Sequence, residues 1–172
     1  MKKINKIIFV VLLLPLFYES VYGQSTVKLK STAELLAKAT VASDFKTVVK
    51  YTYPKVVKAM GGPDKIIAVM NKGFQDMKSQ GAAFKDAIIG EPGQILTGRT
   101  EFYSVVPLKL IMESNGEKFY TTSSLLAISA DKGKNWTFID AGNMTKAQLK
   151  QFFPEVYTKL IIPKLTEPVV ID

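Results

Sequence analysis

The 172-residue chain carries 15 Asp and Glu, 23 Lys and Arg, seven Tyr, and neither Cys nor His. That inventory excludes Ser-His-Asp triads, thiolate nucleophiles, thiolate-ligated haem or iron–sulfur groups, and zinc sites of the usual nitrogen/sulfur kind. Chemistry based on carboxylates and tyrosines remains. A glycosidase-type pair needs two acids roughly 5 to 9.5 Å apart across a cleft. Most acids here fall instead at helix starts (Glu34, Asp44, Asp64) or hairpin ends (Glu113, Glu117, Asp131), where carboxylates serve caps and turns. Asp86 and Glu101 are the two predicted on strands away from turns. Arg99 and Glu101, two apart on one predicted strand, point to the same face. Facing inward they make a buried polar site; facing outward they make a surface ion pair, and the cost of burying ions favours outward. Tyrosines combine apolar area with a hydroxyl, so Tyr51, Tyr53, Tyr103 and Tyr120, with Glu101, are the candidates to line the polar end of a ligand pocket. No residue pattern predicts a catalytic set, a metal site or a cofactor.

The elements that position these residues follow a leader. Lys2, Lys3 and Lys6 precede an apolar run at 7–17 broken only by Pro15, and Ser20-Val21-Tyr22-Gly23 is a small-residue cleavage site. This predicts a secretory signal peptide over residues 1–23 and one domain over 24–172, placed in a periplasm or outside the cell. The apolar run has 11 residues, against the roughly 20 that span a bilayer. No Cys follows it, which excludes a lipidated anchor. The remaining length is enough for one hydrophobic core without disulfides.

Residues 24–90 hold 11 Lys against five acids, whereas 91–172 hold eight Lys, Arg99 and nine acids. The basicity therefore belongs to the first half. Lys46, Lys50, Lys58, Lys65 and Lys72 recur at near-helical spacing and read as a solvated helix face rather than an anion patch. A single arginine argues against nucleic acid as a partner, since phosphate and base-edge recognition lean on Arg.

Ser31-Thr32-Ala33-Glu34 is a capping box and predicts the start of a first helix, with Leu35, Leu36, Ala39 and Ala42 on its apolar stripe. Ser43-Asp44 predicts a second N-cap, Pro54 a kink or a restart, and Gly61-Gly62-Pro63 an end followed by a new helix that stops at Gly81. From Ala83 the period changes to two. A short strand at 84–89, a long one at 94–113, the Asn115-Gly116 hairpin, and strands at 118–130 and 136–140 follow, then a helix at 145–153. Pro107 inside the long strand predicts an edge, a bulge or a bend, which makes the strand two collinear pieces. The pattern is α+β, with N-terminal helices on one face of a strongly curved antiparallel sheet.

Ser129-x-Asp131-x-Gly133-x-x-Trp136 matches the Asp-box pattern of sialidase-like propellers. Its physical content is a stapled hairpin: Asp131 accepts from turn amides, Gly133 supplies positive φ, and Trp136 packs over the turn. One copy cannot build a propeller, so the motif is read as structural. Asn135-Trp136-Thr137 and Asn143-Met144-Thr145 are N-glycosylation acceptors by pattern alone.

The helical segment with Tyr51-Thr52-Tyr53-Pro54 and Gly61-Gly62, the Val105-Val106-Pro107 strand and the hairpin at 129–138 resemble the nuclear transport factor 2-like superfamily and its small exported bacterial members. The resemblance covers roughly residues 31–140. It implies a cone of curved sheet closed by helices, an apolar pocket between the two layers, and dimers through the outer sheet face. It embraces isomerase-type enzymes and binding modules alike, so the site must decide function.

Two expectations follow. The first is a non-enzymatic exported domain that binds a small apolar or amphipathic molecule, or an envelope partner protein, in or around a helix–sheet pocket. The alternative is an isomerase or lyase using Asp86 or Glu101, its pKa raised by an apolar pocket, with a Tyr as donor. The leader reading carries its own check: the intact mass of exported protein should correspond to a chain beginning at Gln24, and material retaining residues 1–23 would overturn it.

Overall fold

The computed structural model describes residues 16–171, with side chains from Gly23 onward. The basic stretch of the expected leader and residues 7–15 of its apolar run lie outside the described residues. α1 (Leu16–Val41) passes through Gly23 without a break and starts well before the predicted capping box. Ser31 is inside the helix, where its hydroxyl donates to the Lys28 carbonyl at 3.0 Å. The residues before it are helical, so the amides at 31–34 already have carbonyl partners one turn back and need no cap. Core packing by α1 begins at Ser25 and Leu29, both buried.

Asp44 caps α2 (Phe45–Tyr51), accepting from the Thr47 amide at 3.2 Å. Pro54 opens α3 (Pro54–Ala59) at its first position, where the missing amide costs nothing. Gly62 and Pro63 open α4 (Pro63–Ser79). The chain then enters β1 (Ala82–Ile89), β2 (Leu96–Thr97), β3 (Phe102–Ser114), β4 (Glu117–Ser129) and β5 (Thr137–Asp140), followed by α5 (Lys146–Phe152) and β6 (Val169–Ile171). The six strands form one antiparallel sheet, curled but not closed, in the order β1-β3-β4-β5, with β2 on β3 and β6 on β4.

β3 and β4 pair along their whole length, from Phe102↔Ser129 to Ser114↔Glu117, across a turn in which Asn115 and Gly116 both have positive φ. The predicted long strand is not two collinear pieces: the chain turns back at residues 98–101, so that β2 pairs antiparallel with β3 at Leu96↔Tyr103 and Thr97↔Phe102, and β3 runs unbroken through Pro107. Pro107 sits inside β3, accepts a bond from the Gly90 amide at 2.9 Å, and has no N–H to return. The β1–β3 ladder accordingly ends at Ile89↔Leu108.

Both faces of this hairpin are covered at the β5 end. On one, Val106, Leu108, Leu125, Ala127 and Phe138 pack against Leu29, Ala33, Leu36 and Ala37 of α1 and Phe45 and Val48 of α2. On the other, Tyr103, Leu126 and Ile128 pack against Leu149 of α5 and Phe153, Val156 and Leu160 after it. The expectation of helices on one face alone is incomplete: the chain's own C-terminal segment occupies part of the outer face that was expected to be open for a dimer. Among the described residues no helix is long and apolar enough to cross a membrane.

The turn between β4 and β5 is stapled by side chains. The Ser129 hydroxyl accepts from the Gly133 amide at 2.8 Å and donates to Asp131 Oδ1 at 2.9 Å, while Asp131 accepts from the Asn135 amide at 2.8 Å. Gly133 has φ +86° and lies against the Ser25 side chain, so a Cβ there is excluded by backbone and neighbour together. The Trp136 indole donates to the Gly133 carbonyl at 3.1 Å and is 2 % exposed. Trp136→Ala should therefore cost about 3 kcal/mol or more, as large aromatic truncations in cores do. Chemical denaturation checks this, and a variant as stable as the parent would remove the indole from the core.

Candidate functional site

α1, α2 and α4 pack their apolar faces across the curled sheet without filling the space beneath them. A cavity of about 450 Å³ remains, walled by Leu36, Ala37 and Val48 from the helices, Met70 and Phe74 from α4, and Leu108, Leu125 and Phe138 from the sheet. Curvature is the cause: helices are straight rods, and a concave sheet separates from them towards its centre. Its polar groups are few. Thr40 and Thr52 turn their hydroxyls back to the Leu36 and Val48 carbonyls, at 2.9 Å each. Asp140, exposed at the rim, accepts from Ser123 Oγ at 2.7 Å and the Gly142 amide at 3.1 Å. The size is within the ~300–1,000 Å³ range of small-molecule sites.

None of the four predicted tyrosines lines this cavity. Thr52 makes a one-residue parallel bridge to Phe138, and the Tyr53 amide donates to the Phe138 carbonyl at 3.0 Å, so this segment runs along the free edge of β5. Tyr51 is the last residue of α2 and packs with the helix-side core, whereas Tyr53, beyond Thr52, packs with the C-terminal side. Tyr120 is further away still. It faces Ile111 on β3, with the Lys109 ammonium 3.8 Å from its ring centroid, eight residues along β4 from Ile128, the partner of Tyr103; that is roughly 26 Å along the strand at a ~3.3 Å rise.

Tyr53, Tyr103 and Glu101 do come together, on the opposite face. The Tyr53 hydroxyl donates to Glu101 at 3.0 Å, and the Tyr103 hydroxyl lies 2.8 Å from Glu101 Oε2 and 2.9 Å from Glu155 Oε1. Lys55 Nζ reaches Glu101 at 3.5 Å, and the Arg99 amide donates to Glu155 at 2.8 Å. The expected Arg99–Glu101 surface pair is not formed. Glu101 sits in the turn before β3, not on a strand, and its side chain is 11 % exposed. Two phenols and an ammonium replace the water it gives up, which is the condition for burying a carboxylate. Asp86, the other predicted strand acid, is exposed on β1 at a register shift, accepts from the neighbouring Ala87 amide, and meets no cavity. Glu155 was missed. Nothing in the Pro-punctuated tail marks a side chain that bonds across 52 residues.

This cluster borders a polar cleft of about 500 Å³ lined by Lys55, Arg99, Thr100, Glu101, Tyr103 and residues 151–155. Tyr103 has one proton for two carboxylates, so it acts as a shared donor. Burial, then Glu101 and Glu155, push its pKa far above the usual tyrosine range. Burial also raises Tyr53, with Lys55 opposing and Glu101 adding to the rise. Glu155 is held below the ordinary carboxylate value by the Arg99 amide and then the Tyr103 hydroxyl. A glutamate whose lone pairs already receive these donors is a tie between segments and a weak proton acceptor. Gly98 permits the approach: a Cβ there would stand 2.8 Å from the Tyr103 ring and 2.6 Å from Glu155 Oε1.

No protein-family profile, curated protein or solved structure matches the chain, so geometry carries the functional reading.

Two outcomes follow from the tie and from the hairpin staple. Tyr103→Phe leaves Glu101 and Glu155 facing each other without their common donor and should destabilise the fold by about 1–3 kcal/mol in denaturant unfolding. Glu155 and Asp131 both have lowered folded pKa values; for Asp131 burial opposes the shift, and the Asn135 amides outweigh it. Depressed carboxylates add stability above their unfolded values of 4.5 and 3.8 and lose it as pH falls through the lower folded values. The melting temperature should thus be flat from about pH 7 to 5 and drop below about pH 4; a drop already under way above pH 5 would contradict the assignment.

Proposed function

We propose that this chain is an exported, non-enzymatic binding domain that holds a small apolar or amphipathic molecule between its helices and its sheet. The observation that carries this reading is the unfilled cavity walled by Val48, Met70, Phe74, Leu108, Leu125 and Phe138. Well-packed interiors close such space, because a void forfeits contacts on every wall. The leader-like residues 1–23 support export. The order of helices and strands and the stapled hairpin support the cone-like nuclear transport factor 2 resemblance and the Asp-box reading as its local structure.

A second reading has its own observation: Glu101 beside the Tyr53 and Tyr103 hydroxyls in a cleft is the arrangement an isomerase or lyase needs. Full use of the carboxylate by Tyr53, Tyr103 and Lys55 weighs against it as a base. Occupancy separates the two. Ala37, 5 % exposed on α1, lines the cavity, and Ala37→Leu adds bulk there in a residue that suits helices. Titration with the neutral dye Nile red should show binding to the parent that weakens about tenfold in Ala37→Leu, equivalent to 1.4 kcal/mol, while the melting temperature holds. Equal binding by both proteins would move the ligand elsewhere.

A further inference from the structure

The helices that roof the cavity carry a second feature on their outward side. α2, α3 and α4 enclose a shallow cleft of about 690 Å³ with an apolar floor of Val49, Val57 and Ile67 and a rim of Lys46, Lys50 and Lys58. The same helical turns serve both spaces. Val48 and Val56 face the cavity while their neighbours Val49 and Val57 face the cleft, and Thr52 lines both. Thr52, at the end of α2, is thus the wall that the two spaces share.

Charge is one-sided in the cleft. Among the described residues none of its three lysines has a carboxylate within ion-pair distance, and Asp64 is the only acid lining it. The spacing that read as a plain solvated face thus converges on a concave surface with an apolar floor. Inside the cavity nothing compensates a charge. Asp140, its single ionisable group, lies on the β5 rim and already accepts from Ser123 and Gly142. That carboxylate, already bonded, disfavours an anionic head beside it.

From this we infer that the cavity's occupant is a single-chain anionic amphiphile, its tail among Val48, Met70 and Phe74 and its carboxylate head drawn out past Thr52 to Lys46, Lys50 and Lys58. The inference rests on the cavity reading of the preceding section and adds the sign of the head group. Three alkaline side chains on flexible stems suit a compact oxyanion better than a neutral hydroxyl, through charge-assisted hydrogen bonds and long-range attraction.

The test compares three probes of one chain length by calorimetry at neutral pH: laurate, lauryl alcohol and laurylamine. Laurate should bind about tenfold more tightly than the alcohol, a difference of 1.4 kcal/mol, and the amine most weakly. In the exposed triple variant Lys46→Gln, Lys50→Gln, Lys58→Gln, the laurate advantage should fall to about onefold while alcohol binding is unchanged. Equal binding of laurate and alcohol by the parent, or an advantage that survives in the variant, would overturn the inference and leave the cavity reading standing. Tightest binding of the amine would overturn it in favour of Asp140 as the head-group partner. Failure of all three to bind, or alcohol binding untouched by Ala37→Leu, would overturn the cavity reading itself.

Discussion

Two thirteen-residue strands, paired over their whole length, present apolar side chains on both faces, and the rest of the chain is arranged by the need to cover them. Val106, Leu108 and Leu125 look one way; Tyr103, Leu126 and Ile128 look the other. Each large aliphatic or aromatic side chain so buried contributes about 1.5–3 kcal/mol relative to exposure, and neither face alone can be left to solvent. The helices before the hairpin cover the first. The segment after it, α5 with Phe153, Val156 and Leu160, covers the second.

The two layers meet only around the sheet's edge, and the chain uses one short segment to join them. Thr52 and Tyr53 lie along β5, satisfying an edge that would otherwise offer free backbone groups. Tyr53 then reaches Glu101, and through Glu101 the Tyr103 hydroxyl and Glu155. The α2–α3 junction, the turn before β3 and the C-terminal segment are thereby held through two carboxylates, Glu101 and Glu155, that share the Tyr103 hydroxyl. Such a tie leaves the polar cluster bonded beside its cleft, while the apolar cavity lies on the opposite side, under helices that a concave sheet cannot follow.

Local signals were legible where a residue's own chemistry sets the backbone. Asp44, Pro54, Gly62-Pro63 and Asn115-Gly116 each mark the boundary the structure has, because caps, fixed φ and positive φ act within a turn or two. Ser31 misled for the complementary reason: a capping sequence caps only if the preceding residues are not helical, and here they are. Position across the sheet was not legible. Tyr51 and Tyr53 differ by two residues yet fall on opposite sides of β5, Glu101 lies in a turn and not on a strand, and Glu155 and β6 gain their places from partners far away in sequence. Val48, Thr52, Met70 and Phe74 line the cavity from the helix side, but the sheet's curvature that keeps it open has no single-residue signature.

The central claim is that this space under the helices takes a ligand. Methyl-resolved NMR during titration with lauryl alcohol addresses it most directly, because the two faces of the hairpin have distinct reporters. The account predicts shifts at Val48, Met70, Leu108 and Leu125, with Leu126, Ile128 and Leu149 on the opposite face unmoved. Shifts confined to the second group, or none in either at saturating probe, would contradict it.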